Sequence, residues 1–475
     1  MRKQSVTHSH RFRRYPLERI SQWTAGVSTS RRVSRVLTAS GLFALLFSVM
    51  CVRESSHAQQ PVGARPLEPT TSSSPDLATS ATEDPNTSSD PVEAARDDPE
   101  MIAEAIAAMP EDIAAEATAI EKRFRASTQE LAELMIRLRN MHTKYANGVE
   151  KTPAVARAYR ELNAEVAVAF DQHFTHSLDL YRYLPSPEAI QFMGTFVRRA
   201  MLDDIYDAET FEASARLLDV GQNLRFLFLT CARAGVCCGK FETSKKIFEA
   251  LSEDELEKTD LRIMAAFDVI QRQYEEEAER IKEDETKALP RVILKTTRGE
   301  VEIELYAEEA PNAVAHFMKL VESGFYDGCD LSQVVSGLLI LTGDVTGDGR
   351  GNSGEFLEDE KPHPNARHAL RGTIVMAKVP LGEGQFLPNS ASSQFAIHLL
   401  PIPSAAEQQT VIGRVVRGMR QLSRARRIDP TEESKNKVKV PPDAILTAEV
   451  VREGPELPAP RYVDLRQQII QQIQP

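Results

Sequence analysis

Tryptophan is almost missing from this chain. The single one, Trp23, lies among the first 58 residues. Cysteine is scarce too, with five in 475 residues. No two cysteines stand in a C-x-x-C pair, and no Cys/His spacing suits zinc. Cys231, Cys237, Cys238 and Cys329 follow Cys51, and the first three of these are close enough in sequence for a bond in an oxidising compartment or for buried free thiols. The apolar run Gly41–Val52 is about a dozen residues, short of the roughly 20 needed to span a bilayer. Past the leader, positive charge is also in deficit. Residues 1–58 hold ten Lys and Arg against two acids, which leaves about −20 on the rest of a chain of net charge −12. Such a balance argues against non-specific binding of nucleic acid or anionic lipid. No Ser/His/Asp or Cys/His set can be assembled for nucleophilic catalysis. "GDGRGNSG", residues 347–354, lacks the lysine that a phosphate loop requires.

What is present falls into five segments. Residues 1–58 pair a basic leader with the Gly41–Val52 run and Ser56-His57-Ala58, which predicts a signal peptide cleaved before Gln59, or a membrane tether if it is uncleaved. The expected location is the periplasm or envelope of a bacterium. Residues 59–98 are rich in Pro, Ser, Thr, Ala and Asp and bury too little apolar surface to offset ordering, so a disordered linker is expected. Residues 99–287 space their apolar positions by three and four and predict helices. Within them Phe228, Ala232, Gly239, Phe241, Ser244 and Phe248 loosely match one tetratricopeptide-type hairpin, but an ordinary helical bundle is the favoured reading. From Leu289 the pattern alternates. Val292, Leu294, Val301, Ile303 and Leu305 are set for burial around a turn at Arg298-Gly299. Pro311 then opens an amphipathic helix that Gly324 closes. The alternating region runs from 288 to 456, and a tail from 457 to 475 follows.

The region 288–456 carries "TTRGEVEIELYAEEAPNAVAHFMKLVESGFYDG", "GDVTGDGRGNSG", "RGTIVMAK", "NSASSQFAIHLLPIP" and "TVIGRVVRGM" in that order. In this it resembles the cyclophilin-type peptidyl-prolyl isomerases. The resemblance implies a closed antiparallel eight-stranded barrel with capping helices, which after the helices expected over 99–287 makes an α+β chain. It also implies proline-containing polypeptides as partners, envelope proteins among them given the expected export, and neither cofactor nor metal.

The reagents of that family are changed. Its catalytic arginine falls at Gln333, and the aromatic and histidine before it at Leu331 and Ser332. Its phenylalanine, methionine and glutamine on the next strand fall at Leu338, Leu339 and Leu341. Gln394 is retained, while a pocket phenylalanine becomes Ala396. Ser404, Ala405 and Gln409 replace further lining residues, and the segment 378–387 is several residues longer than the family's. Gln333 offers two neutral donors where an arginine offers five and a fixed charge. Weak or lost isomerase activity is therefore expected, with a non-catalytic peptide-binding scaffold as the alternative. Asp344, Asp348, Asn352 and Glu355 crowd one glycine-rich loop but miss the spacing of a helix-loop-helix calcium site. His316 and His398 fall on regular elements and are expected to be structural.

Overall fold

The computed structural model describes residues 97–465 and 467, apart from 147–151, 348, 361–362, 383, 430–441 and 453. The expected leader (1–58) and nearly all of the expected linker lie outside the described residues. The chain divides into two compact units between Ala189 and Ile190.

In the unit that ends at Ala189, helices α1 (Pro99–Ala107), α2 (Glu111–Ala146) and α3 (Pro153–Tyr183) follow one another, and α4 (Pro187–Leu202) crosses the division. Pro99 and Pro153 sit in the first turns of α1 and α3, where the missing N–H costs nothing. Asp98 and Thr152 cap those turns with side-chain oxygens. Apolar side chains at helical spacing, such as Ile120 and Phe124 on α2 and Leu180 on α3, close the core. Asp97, expected at the end of the linker, belongs to the fold. Its carboxylate accepts from Ser186 Oγ at 2.6 Å and from Arg125 at 3.1 Å.

The second unit continues with α5 (Ala208–Asp219), α6 (Arg225–Cys237), α7 (Phe241–Ala250), α8 (Lys258–Ala265) and α9 (Phe267–Asp284). Helices α6 and α7 pack as a pair, and Ser244 Oγ donates to the Ala232 carbonyl across it at 2.9 Å. Cys231, Cys237, Cys238 and Cys329 are free thiols, so no bond joins the first three. Burial raises Cys231 to about 12 and Cys238 to about 11, which keeps both protonated and unreactive at neutral pH.

The alternating region forms one eight-stranded antiparallel sheet. Its strands are β1 (Arg291–Thr296), β2 (Gly299–Leu305), β3 (Gln333–Val335), β4 (Leu339–Thr342), β6 (Thr373–Met376), β9 (Phe395–His398), β10 (Val411–Arg417) and β11 (Ile445–Arg452), in the order β11-β1-β2-β10-β6-β9-β4-β3. The expected closed barrel is thus corrected to an open one. Among the described residues its edge strands β11 and β3 share no ladder; the segments beside them meet at the isolated bridge Asp330↔Ala444, where Leu331 N–H donates to the Asp443 carbonyl at 2.7 Å and Ile445 N–H to the Cys329 carbonyl at 2.8 Å. Three-residue β3 is too short to complete a seam. Inside the sheet lies the core, where Ile303, Val334, Ile340, Ile374, Phe395 and Ile412 meet Phe317 of α10 (Pro311–Glu322) and Leu422 of α12 (Met419–Ser423).

Two expected boundaries differ from the fold. The helices from Ile190 onward share a compact unit with the sheet, and Leu400 beyond β9 is buried in the same cluster as Phe211, Phe248 and Ile263. Compaction therefore changes at 189/190, whereas the chain switches from helix to strand near 288. The expected tail also contributes structure. Tyr462–Val463 forms β12, which pairs with β5 (Phe356–Leu357).

Candidate functional site

On the face of the sheet opposite the core, alternation brings together a second apolar group. Val375, Ala396 and Val411 are buried beside Tyr306 and Leu289, and Leu339, Leu341 and Ala406 pack against them half-exposed. The register explains the assembly. Leu341 stands opposite Ala396, and Ala396 stands opposite Val375. Gln333 is the register partner of Leu341 on the other side, so it borders this strip. Ser332 Oγ donates to the Leu341 carbonyl at 3.2 Å, which helps fix β3 on β4.

The expected lining residues divide by position. Gln333, Leu339, Leu341 and Ala396 come together on the strip. Leu338 is half-buried at the β3–β4 turn, and its carbonyl accepts from Leu399 N–H at 2.9 Å. Leu331 does not line the strip; it is 1% exposed within the inner core. Ser404, Ala405 and Gln409 frame the short helix α11 (Ala405–Gln408), where Ser404 is exposed and Gln409 N–H closes the helix on the Ala405 carbonyl. The residue of α11 that packs on the strip is Ala406.

Gln394 is engaged elsewhere. Its Nε2 donates to the carbonyls of Gly351 (2.9 Å) and Gly349 (3.2 Å), so it fastens the glycine-rich loop. Asp344 organises the same loop from within. Its carboxylate accepts from Thr346 N–H and Thr346 Oγ1, both at 2.8 Å, and from Gly349 N–H. Burial pushes that carboxyl up, but these backbone donors outweigh it and hold it below the usual range. Glu355 is paired with Lys319 at 2.9 Å, and Asp348 lies outside the described residues. Among the described residues no group of His, Cys, Asp and Glu is arranged to hold a metal ion. Gly343, at φ +85°, must remain glycine, because a Cβ there would run into the Ser393 carbonyl.

The lengthened segment is a β-hairpin, β7 (Pro380–Gly382) with β8 (Gln385–Phe386). It leaves Val379 45% and Leu381 60% exposed. Its lysine, Lys378, is drawn into an ion pair with Asp359 at 2.8 Å and is 9% exposed. Val375, Val411 and Ala406 were not foreseen as lining. For the two valines the available signal was strand alternation, carried from Ala396 one strand further to Val375 and two strands to Val411.

The profile of the family described as "Cyclophilin type peptidyl-prolyl cis-trans isomerase/CLD" matches residues 291–450. "Peptidyl-prolyl cis-trans isomerase-like 1" of Aspergillus fumigatus is 35% identical over 168 residues, which is 35% of this chain and 98% of the relative. The chain belongs to the cyclophilin-type peptidyl-prolyl cis-trans isomerase family. A peptidyl-prolyl cis-trans isomerase of Arabidopsis thaliana is 38% identical over 138 residues, covering 28% of this chain and 21% of that protein. A solved cyclophilin-type isomerase of Cryptosporidium parvum, with the dipeptide Ala-Pro present, is 25% identical and covers 34% of this chain and 98% of its own, at a TM-score of 0.28. The curated cyclophilin-family relatives come from fungi and a plant, which overturns the expected placement in a bacterial periplasm or envelope. Among the described residues no helix is long and apolar enough to cross a membrane.

Proposed function

We propose that this cyclophilin-family chain binds proline-containing polypeptide segments on the outer strip and isomerises them far more slowly than members that keep the arginine. Rotation about a prolyl bond faces a barrier of about 18–20 kcal/mol set by amide resonance. An apolar surface that holds the ring, with a donor that favours the twisted state, lowers it. The strip of Leu339, Leu341, Val375, Ala396 and Val411 supplies the surface. The observation that carries the reading is Gln333 beside Leu341, at the position where the family places its arginine. A glutamine amide is neutral and makes no cationic fork. Lys378 is not a substitute, since it is committed to Asp359. Losing one preorganised donor costs on the order of 10²–10³ in rate.

The test is a protease-coupled assay on an Ala-Pro peptide with the full chain, beside a binding titration of the same peptide. Saturable binding is expected, with turnover at least about 10²-fold below an ordinary family member. Robust turnover that Gln333→Ala abolishes would show that the amide suffices, and slow catalysis would be discarded. A scaffold that binds without turnover is the second reading; Ala396, which replaces a pocket phenylalanine, favours it by removing a wall of the proline site.

A further inference from the structure

The turn between β3 and β4 is held by the helical segment. Gly337 N–H donates to Asp204 Oδ2 at 2.9 Å, and Ser336 Oγ donates to the same oxygen at 3.0 Å. The Gly337 carbonyl accepts from the Arg262 guanidinium of α8. Thr259, one turn earlier on α8, closes a third side, since a Cβ on Gly337 would lie 2.8 Å from its Oγ1. Both backbone polar groups of one turn residue are thus satisfied from residues 204–262, which lie outside the stretch 291–450 matched by the family profile.

The clamp is costly to build. The Asp204 carboxylate is 1% exposed and needs the Arg427 guanidinium at 2.7 Å. Asp204 itself sits at φ 54°, a left-handed conformation that non-glycine residues seldom adopt. Such features persist where the surrounding contacts outweigh them, and they concentrate where geometry serves function.

That turn joins two short strands. Gln333 lies at the far end of β3, and Leu339 and Leu341 lie on β4. A displaced turn would shift all three against Ala396. We propose that Arg262 and Asp204 are positioning residues that set the β3–β4 hairpin, so that docking of the helices and binding of a proline-containing peptide on the strip are coupled. This rests on the strip being the peptide groove, and coupling of this kind is reciprocal.

The experiment uses the full chain, with Arg262→Ala and the conservative Arg262→Lys. Two quantities are read well below the melting temperature, affinity for an Ala-Pro peptide and amide hydrogen exchange across residues 336–341, and the melting temperature is read separately. Arg262→Ala is expected to weaken peptide binding about tenfold and to speed exchange at Gly337 and Leu341. Arg262→Lys, which keeps a donor, should recover most of both. Peptide added to the unaltered protein should slow exchange at Gly337. A lower melting temperature with affinity within about twofold and exchange unchanged would reduce Arg262 to a structural contact and overturn the proposal. Should Arg262→Ala not fold, Asp204→Asn carries the same readouts, and unchanged affinity and exchange there overturn it equally. If the unaltered protein binds no peptide, the groove reading and the coupling fall together, and faster exchange in Arg262→Ala would leave only the clamp.

Discussion

In the proposed reading Gln333 concentrates the chemistry of this chain in one side chain. Replacing it with arginine restores charge and fork geometry but not the wall lost at Ala396. Gln333→Arg is therefore expected to raise turnover of an Ala-Pro peptide while leaving it below an ordinary family member, because catalysis needs positioning as well as charge. The double change Gln333→Arg with Ala396→Phe should exceed either alone. The same protease-coupled assay reads all four proteins, and no gain in any variant would remove the arginine position from the account. At this scale the sequence was legible wherever a residue lay in a continuous strand register. Gln333, Leu341 and Ala396 are such residues, and they meet as expected. Leu331 lies just before β3, where no ladder fixes alternation, and its side chain turned to the core. Gln394 kept its identity, but its amide is spent on two loop carbonyls.

Among elements, β9 carries a titration that should be visible in stability. Burial, with Arg262 nearby, lowers His398 to about 4 from an ordinary 6.5. The folded state therefore keeps the ring neutral while the unfolded chain takes up a proton below 6.5. Stability from this group is complete above pH 6.5 and is lost as pH falls towards 4, by roughly 3 kcal/mol in all. Urea melts at pH 7.5 and 5 should differ in this sense, and the pH slope should flatten in a His398→Gln variant that still folds. An unchanged slope would show that His398 is not the group responsible. Packing of α6 on its neighbours offers a second element-scale test. A Cβ on Gly235 would press on Ser244 Oγ and lie 3.2 Å from the Phe211 ring, so Gly235→Ala should cost about 1–3 kcal/mol in the same melts despite alanine's better helix propensity. Long helices and the β1–β2 hairpin were readable because their periods run over many residues. The β7–β8 hairpin was readable only as extra length, since strands of two and three residues show no period. The open sheet was hidden for the same reason, because closure turns on how far three-residue β3 extends.

For the whole molecule, the helices after Ile190 and the sheet share one unit. Cutting at 288 would separate Arg367 from Glu277 and Asp284, and His368 from Glu276. It would also uncover Leu400. Residues 288–475 alone should accordingly melt at a lower temperature than residues 190–475, and the longer piece should melt in a single transition. Equal melting temperatures would mean that these contacts add no stability to the sheet. Sequence placed a boundary near 288 because periodicity changes there. Periodicity reports secondary structure, whereas compactness depends on pairs such as Asp204 with Gly337, 133 residues apart, and no local pattern records them.

The β12 strap has a mechanical consequence. A load applied at the C-terminus reaches Tyr462–Val463 before it reaches β11. The strap is held by two residue pairs, by Arg461 N–H on Asn312, and by the Tyr462 hydroxyl against His316 and Lys319. Six residues of β1 hold β11. Under a slow pull the strap should peel first and free the segment 453–461, whose extended span is at most about 32 Å, while the sheet and its core stay intact.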